Sequence, residues 1–125
     1  MLKICNEKSA AQLFGVVFLL VAVLGLIPNP LVSPTGIFAV NAAHNILHAV
    51  VGVLLLLAAA RGLAKQALLV FGIVYVLIAI LGYLMMKDMM FGLVMVNMPD
   101  HYLHLVLGIG LIAAGTSSKF CKAKK

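Results

Sequence analysis

Residues 41–52 read NAAHNILHAVVG, and residues 97–108 read NMPDHYLHLVLG. Both stretches begin with asparagine, end with glycine and place a histidine four residues before that glycine. Together they contain all four histidines of the chain. A polar pattern that recurs within strongly apolar sequence predicts two copies of one structural unit. We place repeat one at about residues 10–60 and repeat two at about residues 64–118.

The composition is that of a membrane protein. The 125 residues are 65% hydrophobic and 10% charged, whereas soluble domains average about 25% charged residues. Three stretches, residues 9–60, 66–86 and 101–118, contain no Asp, Glu, Lys or Arg, and each can hold at least one span of about 20 residues. Proline-rich sequence divides the first stretch. We therefore predict an all-α, four-helix transmembrane bundle that forms a single integral membrane domain over residues 1–125.

Each repeat is predicted to be a helical hairpin, so that the bundle consists of two tandem hairpins. Two membrane crossings return the chain to its starting side, which makes the two hairpins a parallel repeat. The predicted helices run from about Ala10 to Ile27, Asn41 to Ala60, Ala64 to Met85 and Pro99 to Thr116.

The basic residues predict the orientation of the bundle. All but one lie on the side that the termini share with the connection between the repeats: Lys3, Lys8, Arg61, Lys65, Lys119, Lys122, Lys124 and Lys125. Only Lys87 falls on the other side. By the positive-inside rule, the N and C termini are expected to be cytoplasmic. The net charge of +6 is then explained by topology, and we expect no nucleic acid partner.

Four glycines at matched positions of the repeats are candidates for helix packing: Gly15, Gly52, Gly72 and Gly108. In lipid, small residues let helix backbones approach closely, and van der Waals packing drives the association.

The polar residues of the repeat fall on one face of each helix. Asn41, His44, Asn45 and His48 follow helical spacing in the second helix. Their counterparts in the fourth helix are Asn97, Asp100, His101 and His104. Because a polar face is unfavourable in hydrocarbon, both faces are expected to point into the bundle. They either fix the packing of the repeats by hydrogen bonds or form a ligand site.

If the two polar faces form a ligand site, the candidate ligands are His44, His48, Asp100, His101 and His104. The supporting residues of this polar cluster are Asn41, Asn45 and Asn97. His44 and His48 are four residues apart in one helix and can chelate one metal ion, which His104 or Asp100 completes from the other repeat. Copper and zinc are the ions considered first. A haem or chlorophyll held between His48 and His104 is the tetrapyrrole alternative.

The methionines suggest either a soft-metal site or a surface for a partner. Apart from Met1, all of them lie in the connection within repeat two: Met85, Met86, Met89, Met90, Met95 and Met98. Thioethers favour Cu(I), whereas methionine clusters also form adaptable apolar contact surfaces.

Nothing in the sequence indicates a catalytic set, so a non-enzymatic role is favoured. The carboxylates are only Glu7, Asp88 and Asp100, and no Ser-His-Asp pattern or glycine-rich phosphate loop is present. We predict an accessory or assembly subunit of a larger membrane complex, in contact with the lipid bilayer and with other membrane protein subunits or with copies of itself as a homo-oligomer. The alternatives are a metal- or tetrapyrrole-binding protein and a small oligomeric channel or proton relay.

The pattern Asn41-x-x-His44-Asn45-x-x-His48-x-x-x-Gly52, followed by Asp100-x-x-x-His104-x-x-x-Gly108, resembles the bacterial membrane family catalogued as domain of unknown function 4383. The resemblance covers nearly the whole chain. It implies a four-helix membrane protein and implies no activity. The predicted location is the bacterial inner membrane. The methionine-rich connection is not part of the family pattern.

Overall fold

The described residues form four helices, as the sequence predicts. The computed structural model describes residues 6–86 and 88–122, with side chains described as far as Ser117. Its helices are α1 (Glu7–Leu24), α2 (Ala42–Ala60), α3 (Ala64–Met85) and α4 (Met98–Lys122). Lys3, Lys87, Lys124, Lys125 and Cys5 lie outside the described residues, as do the side chains of Lys119, Lys122 and Cys121.

Three of the helices, α1, α2 and α3, are long and apolar enough to cross a membrane. The prediction of a membrane-embedded protein is supported to that extent. The fourth helix is less clearly transmembrane than the sequence analysis assumed. Its first turn carries Asp100 and its last turns carry Lys119 and Lys122, so only its middle is free of charge.

Helix α1 begins and ends three residues earlier than predicted. It begins at Glu7 because the Asn6 side chain accepts hydrogen bonds from the backbone N–H groups of Lys8 and Ser9, at 3.0 and 3.4 Å, and so caps the helix. After Leu24, the Asn29 side chain donates to the Leu24 carbonyl at 2.9 Å. That contact satisfies one of the unpaired carbonyls at the helix end.

Helix α4 runs past its predicted end at Thr116 as far as Lys122. The hydroxyl of Thr116 donates to the Ile112 carbonyl at 3.1 Å, and that of Ser117 donates to the Ala114 carbonyl at 2.7 Å. Because these hydroxyls bond back to the preceding turn, the Thr-Ser pair is accommodated inside the helix rather than ending it.

The helices pack as two hairpins, α1 with α2 and α3 with α4. Glycines lie where the backbones of each pair come closest. A methyl group added to Gly15 would lie 3.0 Å from the Gly52 carbonyl oxygen, and one added to Gly52 would lie 2.8 Å from that of Gly15. Gly72 and Gly108 repeat this arrangement in the second hairpin, at 3.0 and 2.9 Å. The matched glycines therefore lie at backbone contacts between helices.

Two short strand pairs, which the sequence did not predict, lie in the connections within the hairpins. In the first connection, β1 (Val32–Ser33) pairs in parallel with β2 (Phe38–Ala39). In the second, β3 (Met89–Met90) pairs antiparallel with β4 (Val94–Met95). The two connections thus differ in structure, although the helices that follow them are similar.

Reciprocal asparagine contacts join the two connections. The Asn41 side chain donates to the Leu93 carbonyl and the Asn97 side chain donates to the Ile37 carbonyl, both at 2.9 Å. The side-chain oxygen of Asn41 also accepts from the backbone N–H of His44 at 3.0 Å and so caps α2. These contacts hold the first turns of α2 and α4 side by side, and the candidate site lies just beyond them.

Candidate metal centre

Three histidines from the two hairpins meet inside the bundle. His44 and His48 come from α2 and His104 comes from α4, and their side chains are only 2, 7 and 5% exposed. The ring centroid of His44 lies 4.5 Å from that of His48 and 5.6 Å from that of His104. The His48 and His104 centroids are 6.3 Å apart. We call these three residues the histidine cluster.

The nitrogens of the histidine cluster are slightly farther apart than those of a metal site with three histidine ligands. Each ring offers one nitrogen, and these nitrogens all lie within 4.8 Å of one another. Three nitrogens bound to one zinc ion at about 2.0–2.1 Å in tetrahedral geometry lie about 3.4 Å apart. Small rotations of the three side chains would therefore bring the nitrogens to coordination distance, because each nitrogen has to move by only about 1.5 Å or less.

A backbone carbonyl from the second hairpin orients His44. Its Nδ1 lies 2.7 Å from the carbonyl oxygen of Met95, and a carbonyl can only accept, so Nδ1 carries the proton and donates. The other ring nitrogen, Nε2, is then free of a proton. Histidines that bind metals commonly donate their second N–H to a backbone carbonyl in this way. His44 is therefore held in the tautomer whose Nε2 is free to bind a metal ion.

The other two histidines carry buried nitrogens that lack a partner. Within the described residues, Nδ1 of His48 and Nδ1 of His104 have no hydrogen-bond partner. Buried polar atoms in native proteins are nearly always satisfied. Asn45 Oδ1 and His101 Nδ1 also lack a partner among the described residues, but only in the cluster do two such atoms belong to rings whose nitrogens converge on a third imidazole. A bound ion or the polar end of a ligand would satisfy them.

Two aromatic rings close the cluster on the side of the apolar core. The Tyr75 ring stands edge-on to His104 at 5.3 Å, and the Phe18 ring lies 5.7 Å from His48. The two aromatic rings also contact each other at 5.3 Å. The sequence analysis did not propose either residue for the site. The available signal was their matched placement in the first helix of each repeat.

Asp100 is buried but does not join the histidine cluster. Its side chain accepts from the backbone N–H of Asn97 at 3.0 Å, while the Asn97 side chain accepts from the Asp100 N–H at 3.2 Å. This reciprocal pair caps α4. Asp100 therefore corresponds to His44 in the repeat, but it caps a helix instead of joining the cluster.

His101 and Asn45 are also separate from the cluster. The His101 ring packs against Gly82 of α3, and the Asn45 side chain packs against Gly25 at the end of α1. Asn45 additionally donates to the Gly25 carbonyl at 3.1 Å. The two residues hold corresponding positions in the repeats and fill the same kind of space between the helices of their own hairpin.

The methionines of the second connection do not form one continuous site. Met90 is 5% exposed, whereas Met86 is 76% exposed. Met89 and Met95 are partners across the strand pair. Met85, Met95 and Met98 are half-buried. Of this group, only Met90 lines a cavity beside the histidine cluster.

Comparison with curated proteins and with solved structures gives no match. A family comparison does match: residues 8–117 fit the family described as Domain of unknown function. The matched range includes both copies of the polar repeat and every residue of the histidine cluster. The resemblance seen in the repeat is thereby confirmed, and this chain belongs to the domain of unknown function 4383 family (DUF4383).

Proposed function

We propose that this protein is a four-span integral membrane protein that binds one zinc or copper ion at the histidine cluster. The observation that carries the proposal is the meeting of three buried imidazoles from both hairpins, with ligand nitrogens within 4.8 Å of one another. Neutral imidazole is the most common metal-binding side chain. Three such ligands leave a fourth position open, as in catalytic zinc sites.

The main competing explanation is that the polar faces only join the two hairpins by hydrogen bonds. The asparagines already do this, because Asn41 and Asn97 each donate to the connection of the other hairpin. Unlike Asn45 and His101, the three imidazoles of the cluster come together from both hairpins, with ring nitrogens within 4.8 Å of one another, and joining the helices does not require that arrangement. The cluster is therefore better explained as a ligand site.

A single ion fits the cluster better than a tetrapyrrole does. A macrocycle clamped between His48 and His104 would have to displace His44, whose ring contacts both of them. Zinc and copper both accept imidazole ligands. Met90 lines the same cavity as the cluster, and a thioether ligand would favour Cu(I).

X-ray absorption at the metal edge tests the identity of the ligands. For wild-type protein loaded with zinc in mild detergent, we expect three imidazole nitrogens at about 2.0–2.1 Å. The imidazole multiple-scattering pattern should disappear in the His48→Leu variant, because zinc then lacks one of its chelating pair. A spectrum dominated by oxygen ligands in the wild-type protein would contradict the proposed site.

We also propose that α4 spans the membrane with the other three helices, in a bacterial inner membrane, with both termini in the cytoplasm. The support for the fourth span is that α4 packs along α3 through the contact between Gly72 and Gly108. The support for the orientation is that Lys8 lies at the beginning of α1, Arg61 just after the end of α2 and Lys65 at the beginning of α3, which is the same end of both hairpins.

Cysteine labelling in intact cells tests this orientation. In a background with Cys5 and Cys121 replaced by serine, a membrane-impermeant maleimide should label Thr35→Cys from outside, because Thr35 is exposed in the first connection. Arg61→Cys, which is also exposed, should react only after the membrane is permeabilised. The reverse pattern would show that the orientation is wrong.

The predicted role as an accessory or assembly subunit remains a prediction, as do the channel and proton-relay alternatives. A metal site does not exclude any of them, since a subunit that carries an ion also acts within a complex. Native cross-linking that captures a different membrane protein would support the accessory role, and cross-links between copies of this chain would support an oligomer.

A further inference from the structure

Two cavities flank the histidine cluster on opposite sides. The larger, of about 320 Å³, lies between α2 and α3. The smaller, of about 140 Å³, lies between α1 and α4. His48 and His104 line both cavities, so the cluster forms a wall between them. Each cavity is at a junction between the two hairpins, where the helices are less closely packed than within a hairpin.

The two cavities are built from corresponding residues, but only the larger contains all three histidines. Val74 and Tyr75 line the larger cavity, and Val17 and Phe18 occupy the matching positions in the smaller. His44 belongs only to the larger cavity. The smaller has Asp100 instead, and the carboxylate of Asp100 is already bonded to the Asn97 backbone.

The larger cavity opens on the outer surface of the bundle. Three of its lining residues, Leu47, Val50 and Val74, are 48, 47 and 40% exposed. All three lie on α2 or α3, two of the three helices that are apolar enough to cross a membrane. Because the outer surface of a spanning bundle faces lipid, a molecule dissolved in the bilayer can enter this cavity from the side.

The lining of the larger cavity suits an aromatic molecule with one polar end. Apart from the histidine cluster and Tyr75, the residues that line it are apolar, and Phe71, Tyr75 and Phe91 are aromatic. Small-molecule sites typically occupy about 300–1,000 Å³, with mostly apolar walls and a few convergent polar groups. The larger cavity meets this description, with its polar groups gathered at the cluster.

An unusual turn places Phe91 at this cavity. Phe91 and Gly92 are the first two of the three residues that link β3 and β4. Their φ angles are 54° and 67°, as in the tight turns that favour asparagine and glycine at these positions. A positive φ is rare for a bulky side chain, and such strain is concentrated at functional sites. The antiparallel second connection thereby adds an aromatic ring to the larger cavity, while the parallel first connection contributes Phe38 to the smaller.

We propose that the larger cavity binds a membrane-soluble phenol or quinol, with the ring beside Phe71 and Tyr75 and the hydroxyl oxygen at the histidine cluster. The oxygen would take the open fourth position of the metal ion, so this inference rests on the proposed function. A lipid acyl chain fits the apolar walls equally well, but it brings no polar atom to the cluster. The proposal concerns binding and involves no chemical change in the ligand.

Photolabelling of zinc-loaded protein in nanodiscs tests the proposal. The probe is an alkylphenol that carries a diazirine, and the control probe is the same alkylbenzene without the hydroxyl group. We expect the phenol to label α2 and α3 about tenfold more strongly than the control probe, since the control leaves the polar site unpaired. Removal of zinc should reduce labelling by the phenol and leave labelling by the control unchanged.

Two matched variants locate the labelling site. Val74→Phe should block the mouth of the larger cavity and reduce phenol labelling at least about fivefold, an effect typical of overpacking a formed site. Val17→Phe, at the corresponding position of the smaller cavity, should leave labelling unchanged, and Val17 has the same 40% exposure as Val74. Neither residue belongs to the histidine cluster, so both variants should retain zinc.

Three results would overturn the inference: equal labelling by the two probes, undiminished labelling of Val74→Phe, or labelling confined to α1 and α4. Equal labelling would show that the hydroxyl group is not recognised, as expected of a cavity that takes up lipid chains. Zinc content is measured in the same samples before labelling. If zinc is bound but labelling does not depend on the hydroxyl group, the phenol site is wrong and the metal site stands. If zinc is absent, the proposed function is wrong.

Discussion

Gly108→Ala is expected to destabilise the protein by about 1–3 kcal/mol, the usual cost of overpacking a formed interior. A methyl group at this position would lie 2.8 Å from the backbone nitrogen of Val76 and 2.9 Å from the Gly72 carbonyl oxygen. These are backbone atoms of α3, which cannot rotate out of the way as a side chain can. The two helices would have to separate, and the contact that joins the second hairpin would be weakened.

Gly110→Ala, two residues further along the same helix, is the matched control. A methyl group there would meet only the Cζ atom of Phe14 at 3.6 Å, an ordinary van der Waals contact. Since alanine favours helix by up to about 1 kcal/mol over glycine, this variant should be as stable as the wild type or more so. Thermal unfolding in one detergent, followed by circular dichroism, compares the two. Equal stability of the two variants would show that close contact at Gly108 does not hold the hairpin.

His104→Leu is expected to abolish zinc binding, because it removes the only imidazole that the second hairpin supplies to the cluster. Loss of one of three protein ligands leaves His44 and His48 as a chelating pair in one helix, which cannot hold an ion against a competing chelator. We expect zinc content after dialysis against a weak chelator to fall at least about tenfold. Mutation of a residue that only hydrogen-bonds to a metal ligand already lowers metal affinity by about tenfold or more.

His101→Asn is the control for this replacement. His101 is buried in the same helix but packs against Gly82 rather than in the cluster. Asparagine already fills the corresponding position of the first hairpin, where Asn45 packs against Gly25. The variant should therefore fold and retain its metal. If His101→Asn and His104→Leu lost metal to the same extent, the ligand assignment would be wrong.

The sequence predicted the helices well, because an uncharged apolar run long enough to span a membrane has few alternative structures. It predicted helix ends less well. The early end of α1 and the late end of α4 depend on where Asn29, Thr116 and Ser117 direct their hydrogen bonds. Composition does not reveal that direction. The strand pairs of two residues each are too short for any periodicity to indicate them.

The polar faces were predicted as one group, and the structure separates them. Neighbouring residues in a helix differ by about 100° in direction, so His44 and Asn45 face different helices although both are buried. His101 and His104 are three residues apart and so differ by about 60° in direction, and the two rings likewise lie in different surroundings. Periodicity identifies a polar face of this width, but only the positions of Gly25 and Gly82 on the neighbouring helices decide which side chains pack there and which enter the cluster.

Sequence symmetry also overstated the similarity of the two repeats. Asp100 corresponds to His44 and was a ligand candidate for that reason. In the structure it caps its own helix, whereas the ring of His44 reaches across to the Met95 carbonyl. The difference depends on the second connection, whose strand β4 brings that carbonyl to His44. A long-range contact of this kind leaves no local pattern in the sequence.

The most direct test of the metal site is elemental analysis of wild-type protein purified in mild detergent from the membrane in which it was made. We expect about one zinc or copper ion per chain, as a three-histidine site requires, and this ion should be retained in His101→Asn and lost in His104→Leu. Wild-type protein that is folded, is free of both metals and does not take up zinc when it is added would contradict the proposed function.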